Sequence, residues 1–171
     1  MRAAFPAVLA ALVVAVLAPA PATAGPAPAD PSAVTSWTTP LPGELAVTRP
    51  FEAPAHTYAP GHRGADLGGA AGTPVLAASD GVVVFAGMVA GRPVVSIDHA
   101  DGLRTTYEPV DPAVGAGQRV ARASPIGVLV TEHAGCPVEA CLHWGLRRGG
   151  EYLDPLLLLV VRVRLLPLRS V

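Results

Sequence analysis

The 171-residue chain has no lysine; all twelve of its basic residues are arginines, set against thirteen acidic ones for a formal net charge of −1. A nearly neutral chain lacks the basic footprint that nucleic-acid binding requires, so that class of partner is excluded. The chain also lacks an apolar run fit to span a bilayer, which takes roughly 20 residues. Its longest candidate, residues 3–18, is shorter and is interrupted by Pro6, with Pro19 and Pro21 just beyond. No window carries a sustained 3.6-residue apolar stripe with caps, so helix content should be low. There are two cysteines, Cys136 and Cys141.

What is present begins with a leader. Met1-Arg2 is a short basic start, an Ala/Val/Leu run follows, and Ala22-Thr23-Ala24 has the small-residue form of a cleavage site. Residues 1–24 are therefore expected to be a signal peptide, which places the mature chain outside the cell as a secreted or cell-wall protein with no transmembrane anchor. Losing Arg2 with the leader takes the net charge from −1 to −2. Outside the cytoplasm two cysteines usually pair. Residues 25–44 are rich in Pro, Ala, Ser and Thr and are expected to be a linker, with Trp37 docking on the domain edge. Residues 45–160 carry short runs of β type between Gly, Pro and Asp turns. These are Pro74 to Ala78, Gly81 to Ala86, Pro93 to Asp98, Leu103 to Tyr107, Ile126 to Val130 and Leu142 to Leu146. Such a pattern predicts an all-β domain, a compact antiparallel sandwich or barrel. The apolar segment from Leu156 is expected to pack on the sheet as a last strand, leaving residues 161–171 as a C-terminal tail.

The chemistry concentrates in two places. His62 and Asp66, four apart in a Gly-rich stretch, can face one side and offer a neutral imidazole and an anionic carboxylate, a good pair of zinc ligands. Alone, such a pair is as readily a surface hydrogen bond. His143 strengthens it, because in a strand it shares a face with Cys141 while Leu142 and Trp144 point the other way. Two histidines and one aspartate leave a fourth position open, as a catalytic zinc requires.

The segment from about Gly61 to Leu156 resembles the lysostaphin/LytM-type zinc endopeptidases, which cut peptidoglycan cross-bridges and have the duplicated hybrid motif fold. The resembling pieces run in order: His62-x-x-x-Asp66, Gly72-Thr73-Pro74-Val75, Ala78-Ser79-Asp80-Gly81, Ile97-Asp98-His99, Thr106-Tyr107, Leu142-His143-Trp144-Gly145 and Tyr152-Leu153-Asp154-Pro155. The resemblance implies an antiparallel β fold, a Zn2+ cofactor held by His62, Asp66 and His143, and peptidoglycan peptides as substrate.

Two positions depart from that family's pattern. Cys141 stands where a His-x-His motif should begin, and Pro109 stands two residues after Tyr107 where a further histidine is expected. Proton-handling groups of this kind contribute roughly 100- to 10,000-fold in rate. Three states of Cys141 are open: a disulfide with Cys136 across Gly135 and Pro137, a thiolate that closes the metal site, or a free thiol. Candidate substitutes for the absent histidines are His133, in the loop before Cys136, and Glu108, although strand alternation turns Glu108 away from the face that Pro109 takes. His56 is expected at the surface and His99 in a structural place. Arg63, Arg147 and Arg148 are either solvated charges or partners for a substrate carboxylate. The resulting expectation is a secreted zinc metallopeptidase acting in cell-wall remodelling. The alternatives are a catalytically impaired wall-binding module or activator of another cell-wall hydrolase, and a metal-free carbohydrate-binding β domain.

Overall fold

The computed structural model describes residues 37–56, 58–131 and 133–159. The expected leader, most of the expected linker and the tail at 161–171 lie outside the described residues. Among the described residues every regular element but one is a strand: β1 Val47–Arg49, β2 Gly64–Gly69, β3 Pro74–Leu76, β4 Gly81–Val89, β5 Arg92–Asp98, β6 Leu103–Glu108, β7 Val110–Pro112, β8 Arg119–Val120, β9 Pro125–Leu129, β10 Ala140–Arg148 and β11 Glu151–Leu153. The exception is a 3₁₀ turn, Pro155–Leu159. The all-β expectation is met.

The strands form two antiparallel sheets. The larger runs β1-β2-β10-β6-β5-β4-β8, with β11 also paired to β10, and the smaller runs β3-β9-β7. Consecutive strands β4, β5 and β6 are neighbours because tight turns join them. Ala90 and Gly91, both at positive φ, turn β4 into β5, and Gly102 does the same between β5 and β6. β10 comes late in the chain yet sits near the middle of the large sheet, between β2 and β6. It thereby joins the two chemistry-bearing segments, which are far apart in sequence.

The core lies between the sheets. Leu67, Val75, Val83, Ile97, Tyr107, Ile126, Leu129, Leu142 and Trp144 are fully buried there. Trp144 and Tyr107 are register partners on β10 and β6. The Tyr107 hydroxyl accepts the Ala78 N–H at 3.0 Å, and burial pushes its pKa up to about 12.

Two segments pack in ways the sequence pattern does not announce. Residues 37–41, within the expected linker, are held against the domain. Thr38 N–H donates to the Ala78 carbonyl, the Leu76 N–H donates to Pro40, and Leu41 is buried in the core. Trp37 sits edge-on to the His99 ring at 4.7 Å. Proline-rich composition misled here because Pro40 and its neighbours need only an edge carbonyl and an apolar seat to be held. At the other end residues 156–159 do not form a strand. Asp154 caps a 3₁₀ turn, its carboxylate accepting the Leu156 N–H at 2.9 Å, and Leu156, Leu158 and Leu159 pack on the core from that turn.

Candidate metal centre

Asp66 on β2 and His143 on β10 are register partners, and Glu108 on β6 is the partner of His143 on the other side. Residues facing one another across adjacent strands share a face of the sheet. Arg49 on β1 extends the row as the partner of Asp66. One line across four strands therefore carries Arg49, Asp66, His143 and Glu108. His62 joins it from just ahead of β2, held by paired backbone hydrogen bonds with Glu52 at 2.9 and 3.0 Å.

Three donor atoms converge. His62 Nε2 and His143 Nδ1 each lie 2.9 Å from Asp66 Oδ1, and 3.0 Å from each other. Donors around a tetrahedral zinc, at about 2.0–2.1 Å from the ion, stand roughly 3.3 Å apart. The triangle needs to open by only a few tenths of an ångström to receive one. His62 and Asp66 are 6% and 4% exposed, so their solvation has been given up in favour of each other.

The protons also fit a cation. His62 Nδ1 lies 2.7 Å from the Pro50 carbonyl oxygen, which can only accept, so Nδ1 carries the proton. In the neutral ring Nε2 is then bare, and it faces a carboxylate oxygen at 2.9 Å. Two lone pairs at that distance repel unless a proton or a metal ion lies between them. A carbonyl that fixes the tautomer of a ligand imidazole in this way is the usual outer partner of a metal-bound histidine. Burial by itself would raise the Asp66 pKa. The hydrogen bond with His143 and the neighbouring His133 and His62 outweigh it and hold the carboxyl below its ordinary value.

Gly64 is required by this geometry. A Cβ there would meet the Trp144 carbonyl oxygen at 2.5 Å and His143 Nε2 at 2.7 Å, so only glycine lets β2 pass the imidazole.

Cys141 is bonded to Cys136, which decides among its three expected states, and it is fully buried. Pro109 is also buried, after a cis peptide bond. Neither position offers a proton-handling group. Both candidate substitutes are near the centre. His133 Nε2 lies 3.2 Å from Asp66 Oδ1, with its ring stacked on His143 at 6.4 Å between centroids. Glu108 does turn away from the face of Pro109, and the face it takes is the one used by His143. Its carboxylate pairs with Arg92 at 2.7 Å. His62, Asp66, His133, His143, Glu108 and Arg92 line one open pocket of about 320 Å³. His56 is exposed. His99 is buried and structural, bonded to the Asp80 carbonyl and to Thr105.

From His143 a groove of about 650 Å³ runs across the sheet, lined by Arg63, Arg92, Arg104 and Arg147 together with Glu108 and Tyr152. Arg104 makes a two-pronged ion pair with Asp98, and Arg63 lies over the Tyr152 ring at 5.5 Å. Of the arginines that stand out in the sequence, Arg63 and Arg147 line the groove and Arg148 does not. Arg92 and Arg104 join them, and their place on the groove depends on the register of β5 and β6 against β10.

Known proteins share both sequence and fold with the chain. The sequence profile of peptidase family M23 matches residues 60–155, more than half of the chain. A protein of unknown function from Mycobacterium tuberculosis (strain ATCC 25618 / H37Rv) is 50% identical over 152 residues, covering 86% of this chain. The chain spans only 60% of that relative's length. Among solved structures, Csd3 of Helicobacter pylori superposes with a TM-score of 0.59 at 26% identity, over 71% of this chain and 34% of that one. The catalytic domain of lysostaphin from Staphylococcus simulans shares the fold, with a TM-score of 0.57 at 22% identity, over 67% of this chain and 92% of the other.

Proposed function

The chain belongs to peptidase family M23, and from that premise we propose that it is a secreted zinc-dependent endopeptidase acting on peptidoglycan peptides. The observation that carries this reading is the His62–Asp66–His143 triangle, whose donor atoms stand 2.9–3.0 Å apart at the edge of an open pocket. His62, Asp66 and His143 are the residues that would hold the ion. A zinc ion there supplies a Lewis acid for a peptide carbonyl and a more acidic water. The protein's own groups do the rest. Pro50 fixes the His62 tautomer, Gly64 gives His143 room, and Asp66 brings the negative charge. Glu108, held by Arg92 on the same face as His143, is the carboxylate placed to take a proton.

The arginine-lined groove supports a substrate with free carboxylates. Four guanidinium groups line it with the carboxylate of Glu108, Arg92 being paired with Glu108 and Arg104 with Asp98. A peptide bearing acidic side chains or a free α-carboxylate suits this surface better than a neutral glycine bridge.

The test is metal analysis of the purified mature chain, together with release of peptides from isolated cell wall. One zinc per chain, lost with chelator, and chelator-sensitive peptide release support the enzyme. A second reading, a wall-binding module or hydrolase activator, is favoured by the disulfide at Cys141 and the proline at 109. Bound zinc with no peptide release, from any wall preparation, would select it. A chain that takes up no zinc overturns both.

A further inference from the structure

The loop between β9 and β10, residues 130–139, has one histidine turned inward. Thr131, Ala134, Gly135, Pro137, Val138 and Glu139 are exposed. The His133 side chain is only 17% exposed, and its Nδ1 is buried with no hydrogen-bond partner among the described residues. An exposed loop has no packing reason to bury an imidazole, and a buried ring nitrogen without a partner is unfavourable. Something must hold the ring in place. On one side it is Asp66, reached by Nε2 at 3.2 Å. On the other it is the covalent path back to the sheet. The Cys136 N–H donates to the His133 carbonyl at 3.4 Å, and Cys136 is bonded to Cys141, two residues before His143.

We propose that the Cys136–Cys141 disulfide is the device that seats His133 on Asp66, and that His133 is a positioning residue of the metal centre. It stands outside the ligand triangle, since the donor atoms that lie mutually within reach of one ion are those of His62, Asp66 and His143. His133 Nε2 stands at ion-pair distance from Asp66 Oδ1, and this contact restricts the carboxylate's rotation while Oδ1 faces the nitrogens of His62 and His143. A partner of this kind changes metal affinity by roughly 10- to 100-fold. The cysteine that displaces a histidine from position 141 thus supports another histidine, delivered from the loop. Metal affinity becomes dependent on the oxidation state of the cysteine pair, and the site is completed only in an oxidising compartment. The inference rests on the metal-centre reading above and adds to it.

The test is competition for Zn2+ against a chromophoric chelator, using wild-type chain, His133→Ala, His133→Gln, the double variant Cys136→Ala/Cys141→Ala, and the triple variant that adds His133→Ala. His133→Ala and the cysteine double variant are each expected to weaken zinc binding 10- to 100-fold. The triple variant is expected to be no weaker than His133→Ala, because both changes break one path. His133→Gln, which keeps an N–H donor, should recover most of the affinity. Thermal melts in chelator report whether each variant folds. Should the cysteine variants unfold, His133→Ala and His133→Gln against wild type still decide. Unchanged affinity in His133→Ala overturns the proposal while leaving the metal centre standing, and so does a loss in the triple variant that multiplies those of its parents. Wild-type chain that binds no zinc overturns the metal-centre reading itself.

Discussion

His143 Nδ1 meets Asp66 Oδ1 at 2.9 Å because the two residues are register partners on neighbouring antiparallel strands. Their separation is set by the backbone ladder and does not depend on a flexible loop finding its place. This pair is therefore in place before any ion arrives. His62→Ala, Asp66→Ala and His143→Ala should each abolish stoichiometric zinc while leaving the strand signal in circular dichroism intact. In the wild-type chain, zinc at 100 times its dissociation constant should add about 2.7 kcal/mol of stability. That increment should vanish in all three variants, as read by melts with and without chelator.

Glu108 lines the same pocket as His62, Asp66 and His143 without joining their triangle. Glu108→Gln keeps its size and should keep the zinc. Peptide release should fall by roughly 100- to 10,000-fold if Glu108 handles the proton. Rates and metal content measured on the same preparation separate this outcome from loss of the ion.

Gly64 and Gly115 give a paired test of close packing. A side chain at 64 runs into the Trp144 carbonyl and the His143 ring, whereas nothing lies within 4 Å of a Cβ at 115. Gly64→Ala should destabilise the fold by about 1–3 kcal/mol and lower zinc occupancy. Gly115→Ala should change neither. Chemical denaturation and metal analysis of the two variants are the measurements.

Position 99 predicts how stability follows pH. Burial lowers the pKa of His99 below its ordinary 6.5, and the Asp80 carbonyl and the charges of Asp101, Asp98 and Asp80 only partly offset that. The unfolded chain then takes up a proton more readily than the folded one. Stability is full above pH 6.5 and declines as the pH is lowered below it, towards the depressed folded value. Melts of chelated wild-type chain between pH 5 and 8 should show this decline, and His99→Gln should show a shallower one.

Arg147 tests the groove. Arg147→Ala should raise KM for an acidic peptide several-fold with little change in kcat, and leave a neutral peptide of equal length unaffected, since the charge binds substrate without touching the reacting atoms.

Much of this was legible in the sequence because alternation is a local signal. Leu103 to Tyr107 and Leu142 to Leu146 announce strands, and Cys141 and His143 announce a shared face. The Gly-rich stretch that became β2 has too few side chains to announce anything, and its strand exists because β10 pairs along its whole length. The same limit hid the groove. That Glu108 stands opposite His143, and that Arg92 reaches Glu108, are facts of register between strands distant in sequence, which no single segment encodes. The inward turn of His133 depends on a crosslink and a carboxylate contributed by two other segments.

β10 carries Leu142 and Trp144 towards the buried side and His143 and Arg147 towards the groove. Folding constrains mainly one parity of this strand and chemistry mainly the other. A lineage can therefore rewrite the reactive residues by single substitutions without passing through an unfolded ancestor. A change at 143 or 147 would be such a step, leaving the neighbouring Leu142 and Trp144 where they are.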